Sequence, residues 1–526
     1  MGVYINPGND GFATARAGRY VDKSGLISVV NGTIGKKEKL NLISRARRFG
    51  KSMAAQMLCA YYDCSCDSAA LFDDLEIAQD PSYHVHLNQY SVLYLDITNI
   101  LGKADTGNLV SYINEKVGEE LVSMYPSLKT RGAIDEIMVE IIEKLDKGRK
   151  FIVIIDEWDA VIRDSSATPK DKKRYLEFLR SLFKSSGTTD KIFAAAYMTG
   201  ILPVRKDGSQ SAISEFREYT MLEPGMYEKY VGFTEDEVRL LCEEEHADFA
   251  EMKRWYDGYS FETGESVYNP NSVMRALSTG KFRSYWAQSS AAMSLLDYIN
   301  MDFDGLSDTA ADLLGGKRVP VKVRSFKNDI DGLDSKDDVL TLLIHYGYLS
   351  YDAESETVVI PNEEIRIEFS DAIQRVTNKE TLKRVQDSIK LIADTANGDA
   401  DAVAEAIERI HRQECSPLHY NREQSLRSVI KMAYFAYRDY YLQFEELPGG
   451  NGYADIVYLP KKHTDYPALM IELKWEDSPE SAINQIKQKH YPDILKNFDG
   501  QIVLVGISYS REDENKKHRC VIEKLI

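Results

Sequence analysis

Between Lys150 and Glu157 the chain reads Phe-Ile-Val-Ile-Ile and then Asp156-Glu157, five apolar residues without alternation closed by two acids. A strand that is apolar on both faces must be covered on both. That is the habit of a parallel sheet with helices above and below it, not of a sheet with one wet face. Val92-Leu-Tyr-Leu-Asp96 and Ile192-Phe-Ala-Ala-Ala-Tyr-Met198 have the same character, and a shorter apolar strand ends at Leu42-Ile-Ser44. Helical stretches separate these runs, so they predict an α/β sheet with helices on both faces.

The loop after Ser44 carries the chemistry of that sheet. It runs Arg45-Ala-Arg-Arg-Phe-Gly50-Lys51-Ser52 into an apparent helix, Met53 to Tyr62. Gly50-Lys51-Ser52 is the second half of a phosphate-binding loop. Backbone N–H groups at Arg48, Phe49 and Gly50 and the helix N-terminus would hold phosphates, Lys51 would reach the terminal ones, and Ser52 would meet Mg²⁺. The full pattern has Gly seven residues before Ser52, where this chain has Arg45. The acid pair ending the 150s strand supplies the remainder: Asp156 to order the metal shell and Glu157 to polarise water. Thr199 ends another strand where a polar sensor of the γ-phosphate would sit. Arg45, Arg47 and Arg48 have two readings, contact with nucleotide phosphates or a local basic patch for nucleic acid. Arg205 and Arg217 flank Lys206 to Gln210 and read either as an arginine finger or as solvated loop arginines.

A second constellation lies near the C-terminus. Tyr453-Ala-Asp-Ile-Val-Tyr-Leu-Pro and Leu469-Met-Ile-Glu-Leu-Lys-Trp475 read as adjacent strands. Residues two apart on a strand share a face, so Glu472 and Lys474 point together. Asp455 on the preceding strand completes an acid-acid-lysine cluster. Two carboxylates suit a hard divalent cation, and a neighbouring Lys stabilises charge developing on a phosphate. The segment Gly449 to Gly452 is a flexible loop into the first strand. A helix over Ser481 to His490 follows the second and presents Gln485, and Ile502 to Gly506 is a further buried strand. An upstream helix, Glu423 to Tyr437, offers Glu423 as an extra acid.

Asp455, Glu472, Leu473 and Lys474 resemble the signature of the PD-(D/E)XK nuclease superfamily, with Ala454 where the proline of that name stands. The resemblance implies Asp455 and Glu472 as metal ligands for Mg²⁺ or Mn²⁺, Lys474 as catalytic cation, and Gln485 and Tyr491 as supporting groups. The N-terminal motifs resemble the AAA-ATPase-like family of bacterial and archaeal proteins. They include Tyr20-Val-Asp-Lys23, Ser44 to Ser52, Ile155-Asp-Glu-Trp-Asp159, Thr199-Gly200, Gly232-Phe-Thr-Glu235, Trp255-Tyr-Asp-Gly-Tyr259 and Val267-Tyr-Asn-Pro270. That family joins an ATPase module to a C-terminal nuclease module, and it shares the Arg at the first loop glycine.

At 526 residues the chain exceeds one core. The expected division is an ATPase core over 1–230, a mostly helical lid and linker over 231–400, and a restriction-endonuclease-like α/β domain over 401–526. Within the middle region, Val339 to Ile344 and Glu356 to Ile360 read as short strands of a winged-helix-like element, which would bind DNA or pack domains. Trp255 to Tyr259 reads as aromatic packing in preference to a base-stacking platform, and Tyr268-Asn-Pro270 as a turn into a helix cap. A net charge of −18 excludes broad electrostatic adhesion to DNA, leaving only a local basic groove. Six scattered Cys, no membrane-length apolar run and no signal segment over Met1 to Asp10 predict a cytoplasmic protein with no membrane partner. The expected function is an ATP-binding, Mg²⁺-dependent nuclease gated by its ATPase module. It would act on nucleic acid, DNA before RNA, and a homo-oligomer is compatible with it. The alternative is a nucleotide-dependent switch or scaffold whose nuclease-like domain binds without cutting.

Overall fold

The computed structural model of the chain describes residues 2–525 except 130–131, 146–147, 184–185, 205–212, 214, 262–264, 287–304, 327–332, 334, 376–378, 415–422, 435–440, 450–451, 462–465, 496–497, 499 and 512–516. It divides into two compact units, Met1–Leu295 with Pro320–Glu368, and Leu296–Val319 with Phe369–Ile526.

The first unit is built on five strands: β1 (Leu40–Ser44), β2 (Ser91–Asp96), β3 (Phe151–Asp156), β4 (Phe193–Gly200) and β5 (Arg217–Tyr219). Their order is β2-β3-β4-β1-β5 and every pairing is parallel. All six residues of β3 are buried. Phe151, Val153 and Ile155 enter one core with Val117, Ile137 and Leu179 from the helices Leu109–Met124, Ile134–Glu140 and Pro169–Phe183. Ile152 and Ile154 point the other way by strand alternation. The helix Lys51–Tyr62, which packs on β2, β3 and β4, covers that second face. Ala54, Ala55, Met57 and Leu58 are its buried side, and small or unbranched residues there let it lie close to the sheet.

Short strands β6 (Phe233–Thr234), β7 (Tyr259–Ser260) and β8 (Ser266–Tyr268) form a small antiparallel sheet in the same unit. Gly258 precedes it at φ +110°, and a Cβ there would sit 2.1 Å from the Pro361 carbonyl oxygen, so only glycine admits the approach. Tyr256 and Tyr259 are buried and Trp255 packs on the same core, which is the packing role expected of that cluster. Asn269 caps the helix Pro270–Thr279 through the N–H groups of Asn271 and Ser272.

One expectation for the middle region is corrected. Val339 to Ile344 is not a strand but lies in the helix Lys336–Tyr346. Ser335 caps it by accepting from the Asp338 N–H, Gly347 ends it at φ +81°, and Val339 through Tyr346 are all buried. A helix buried on every side loses its amphipathic period, and a short apolar run then looks like a strand. The strand expected at Glu356 to Ile360 is present as β11 (Thr357–Val359), paired antiparallel with β10 (Ser350–Asp352) after the short β9 (Val319–Pro320).

The second unit holds a mixed sheet, β12 (Tyr441–Gly449), β13 (Gly452–Pro460), β14 (Ala468–Trp475), β15 (Ile502–Tyr509) and β16 (His518–Leu525), neighbours in that order. Only β14 and β15 run parallel; the other pairs are antiparallel. Leu469 and Ile471 of β14 join a core with Val403, Ile407 and Val429 from the helices Ala400–Glu414 and Glu423–Ala433. Ala468 and Met470 face the opposite core with Ile483 and Ile486 of the helix Pro479–Gln488. That helix lies tight on β15: a Cβ on Gly506 would meet the Pro479 carbonyl oxygen at 2.3 Å.

Candidate functional site

The loop joining β1 to the helix Lys51–Tyr62 is held open by its backbone. Arg48 has φ +66° and Gly50 φ +90°, and Gly50 is the residue immediately before the helix. Lys51 is 4% exposed, and its ammonium donates to the carbonyl oxygens of Arg45 (3.0 Å) and Ala46 (2.9 Å). Burial depresses its pKa, an effect opposed by the acids Glu157 and Asp156. Asp156, at the end of β3, accepts a hydrogen bond from the Thr199 hydroxyl at the end of β4, and Ser52 bonds the same carboxylate. Burial pushes the Asp156 carboxyl up, and these two hydroxyls pull it back. Four predicted residues from three elements, Lys51, Ser52, Asp156 and Thr199, thus meet at the C-terminal edge of a parallel sheet.

Glu157 sits beside them at φ +55°, a conformation that non-glycine residues rarely adopt. Its N–H donates to the Thr199 hydroxyl (3.3 Å) and its carboxylate pairs with Arg163 (2.5 Å). Arg163 also binds Asp159 (2.9 Å), whose side chain is fully buried and accepts from the N–H groups of Ile201 and Leu202. Sequence reading missed Arg163, although it stands one helical turn after Asp159.

A cavity of 390 Å³ opens next to this loop. Arg48, Lys51, Ser52 and Glu157 are polar residues of its lining, beside Phe49 and Gly50. Tyr20, Val21, Met57, Phe233 and Met274 line an apolar portion, the kind of surface a nucleobase fills. Tyr20 and Val21 belong to a motif noted in the sequence, but nothing in it marked their place against the loop.

Arg45 needs correction. It is fully buried, donates to the Thr220 carbonyl oxygen (2.5 Å) and lies over the Phe261 ring at 5.1 Å. It therefore anchors the loop to the segment after β5, and neither phosphate contact nor a basic surface is open to it. Arg48 lines the cavity but donates to the Tyr285 carbonyl oxygen (2.7 Å). Phe49 is buried edge-on against Tyr259. Arg217 is an exposed residue of β5, while Arg205 and Lys206 to Gln210 lie outside the described residues.

In the second unit the β13–β14 ladder ends at Ile456–Ile471. Asp455 and Glu472 follow, one on each strand, just where the two part. The Leu473 N–H donates to Asp455 Oδ2 (2.9 Å), and the Asp455 N–H to Glu472 Oε2 (3.4 Å). Glu472 and Lys474 share the face of the helix Pro479–Gln488, so Gln485 reaches both. It accepts from Lys474 Nζ at 2.5 Å and donates to Glu472 Oε1, with the Tyr491 hydroxyl 3.4 Å from the same amide nitrogen. Lys474 Nζ is 3.7 Å from Glu472 Oε1. Burial, then the Asp455 charge, raises the Glu472 carboxyl to about 7 against the pull of Lys474.

Asp455, Glu472 and Lys474 border a cavity of 510 Å³ shared with Leu426, Arg427, Leu473 and Trp475. Arg427, from the helix Glu423–Ala433, donates to Asp455 Oδ1 (2.6 Å) and Glu446 (2.9 Å). Sequence reading missed it one turn beyond Glu423, whose own side chain lies outside the described residues. Among the described residues no three His, Cys, Asp or Glu side chains converge to hold a metal ion. Two carboxylates still fit Mg²⁺ or Mn²⁺, which keep several waters and take the rest of their shell from phosphate oxygens. Nor is any described helix long and apolar enough to cross a membrane.

Comparison with known proteins finds a family match over each of the two regions. Residues 11–209 match the family model of a predicted AAA-ATPase, and residues 421–519 match that of the PD-(D/E)XK nuclease superfamily. A curated relative, an uncharacterized protein in the vnfD 5′ region of Azotobacter chroococcum mcd 1, is 25% identical over 298 residues, which are 55% of this chain. The chain spans about half that relative's length, 54%. Among solved structures, the ORC2 protein of Aeropyrum pernix superposes with a TM-score of 0.31 at 12% identity, over 68% of this chain and 96% of that one. Cdc6p from Pyrobaculum aerophilum gives 0.24 at 12% identity, over 67% and 93%. The chain thus carries an AAA-ATPase-like region in residues 11–209 and a PD-(D/E)XK nuclease superfamily domain in residues 421–519.

Proposed function

We propose that the chain is an ATP-binding, Mg²⁺-dependent nuclease that hydrolyses phosphodiester bonds in DNA, with nucleotide binding or hydrolysis gating the C-terminal site. The observation that carries the reading is the convergence of Asp455, Glu472, Lys474 and Gln485 at the fork of β13 and β14. Gating is supported by the presence of Lys51, Ser52, Asp156 and Thr199 as a second convergent set in the same chain. The working modules are 1–230 for nucleotide, 231–400 as lid and linker, and 401–526 for cleavage.

A divalent cation held by Asp455 and Glu472 would polarise the phosphate and lower the pKa of a bound water. The protein groups do the rest. Asp455 and Glu472 offer the oxygens that hold the cation. Lys474, steered by the Gln485 side-chain oxygen, would place its ammonium beside the scissile phosphate, where negative charge grows. At the nucleotide site Lys51 would exchange two loop carbonyls for phosphate oxygens, and Glu157 would orient water once free of Arg163.

The net charge of −18 favours a second reading, a nucleotide-dependent switch whose nuclease-like domain binds nucleic acid or protein without cutting. Labelled single- and double-stranded DNA, incubated with Mg²⁺ or Mn²⁺ and with or without ATP, separates the two. Cleavage absent from Asp455→Ala supports the nuclease, and its response to ATP tests the gate. No cleavage under any condition, with nucleotide still bound, selects the switch.

A further inference from the structure

The two oxygens of Asp455 are both engaged, and by different kinds of partner. Oδ2 accepts from the Leu473 backbone N–H at 2.9 Å, a contact that strand geometry fixes. Oδ1 accepts from Arg427 at 2.6 Å, and that guanidinium also reaches Glu446 at 2.9 Å. The Asp455 side chain is 19% exposed, but that of Arg427 is 42% exposed at the mouth of the cavity. One partner is built into the sheet. The other is a long side chain with solvent beside it, able to leave by rotating its own torsions.

We propose that Arg427 is a displaceable latch on the metal site. It neutralises Asp455 Oδ1 until a divalent cation replaces it, and nucleic-acid phosphate draws the freed guanidinium away. The inference rests on the reading of Asp455 as a metal ligand. A guanidinium and a divalent cation repel each other across one carboxylate oxygen, so occupancy by one disfavours the other. Arg pairs well with phosphate through its forked donors, and a strand lying along the cavity would offer those oxygens. Phosphate binding and metal binding then assist each other, and linkage makes the effect reciprocal. The site would take up metal weakly alone and firmly with substrate, which restrains cleavage of whatever strand merely brushes the surface. Glu446 sits at φ +47° on β12 and holds the opposite side of Arg427, so the latch has a second post within the sheet.

Binding of Mn²⁺ to the full chain without nucleotide, followed by electron paramagnetic resonance of the free ion, tests this. The parent, Arg427→Gln, Arg427→Lys and Asp455→Ala are compared, each with and without a phosphorothioate oligonucleotide. Arg427→Gln is expected to bind Mn²⁺ about two- to fivefold more tightly than the parent, the equivalent of one partly exposed ion pair. Arg427→Lys should fall between them. The oligonucleotide should tighten Mn²⁺ binding in the parent and have much less effect in Arg427→Gln. Equal or weaker Mn²⁺ binding by Arg427→Gln overturns the latch while leaving the metal site standing. Parent binding no stronger than that of Asp455→Ala removes the metal site, and the latch with it.

Discussion

Lys51 Nζ lies 3.0 Å from the Arg45 carbonyl oxygen and 2.9 Å from that of Ala46, so the loop binds its own lysine. On the nucleotide-site reading, phosphates would compete with these two acceptors for the ammonium. Lys51→Ala is expected to weaken a fluorescent ATP analogue by about tenfold to a hundredfold, the worth of a charge-assisted hydrogen bond. A titration that gives the parental affinity would remove Lys51 from the nucleotide site.

Arg163 joins Glu157 to the fully buried Asp159. Truncating it strands a carboxylate with only the backbone donors of Ile201 and Leu202. Arg163→Ala should therefore lower the thermal midpoint of the first unit by about 5 °C or more, since a broken buried pair costs on the order of 3 kcal/mol. Arg163→Lys should lose less. Scanning calorimetry reads both, and an unchanged midpoint for Arg163→Ala would contradict the buried-pair account.

Gln485 bridges Lys474 and Glu472. On the nuclease reading, Gln485→Ala leaves both charged groups in place but loosens their orientation. Cleavage is expected to fall about ten- to a hundredfold, the usual cost of removing a group that orients metal ligands. Asp455→Ala should fall much further. A single-turnover assay that ranks the two variants equally would make Gln485 more than a positioning residue.

Glu364 gives a pH signature in the first unit. It is 1% exposed, accepts from Ser272 Oγ (2.9 Å) and the Tyr285 N–H (2.7 Å), and burial raises its carboxyl to about 7. The folded chain holds this proton more tightly than the unfolded chain. Its stabilising contribution is therefore complete below the ordinary carboxylate range and is lost as pH rises through about 7. Glu364→Gln cannot ionise, so its thermal midpoint relative to the parent should be higher at pH 8 than at pH 5. An offset that does not change with pH would mean that Glu364 is not the titrating group.

Sequence reading found β1 through β4, the short β11, and β13, β14 and β15. β12 and β16 escaped notice because edge strands carry mixed residues, and Leu442 and Phe444 of β12 are exposed. Residues 339 to 344 misled for the opposite reason, a helix with no wet face. In the sites, the acids and lysines announced themselves by type and position. Arg163 and Arg427 did not, because a charge's partner is decided by which elements fold together. Arg45 had the right type in the right loop, and the fold turned it inward to Thr220.

The parallel pairing of β14 with β15 runs without a break from Ala468–Ile502 to Trp475–Tyr509. That ladder is a ruler for the candidate site of the PD-(D/E)XK domain. Shift β14 by one residue and Leu473 and Trp475 would occupy the places of Glu472 and Lys474, while Ala468 and Met470 would trade faces with Leu469 and Ile471. A one-residue slip cannot spoil the acid and lysine while sparing the two apolar cores, nor the reverse. A one-residue error in assembling this site is thus an unfolding error, removed by instability before the four side chains could stand misaligned.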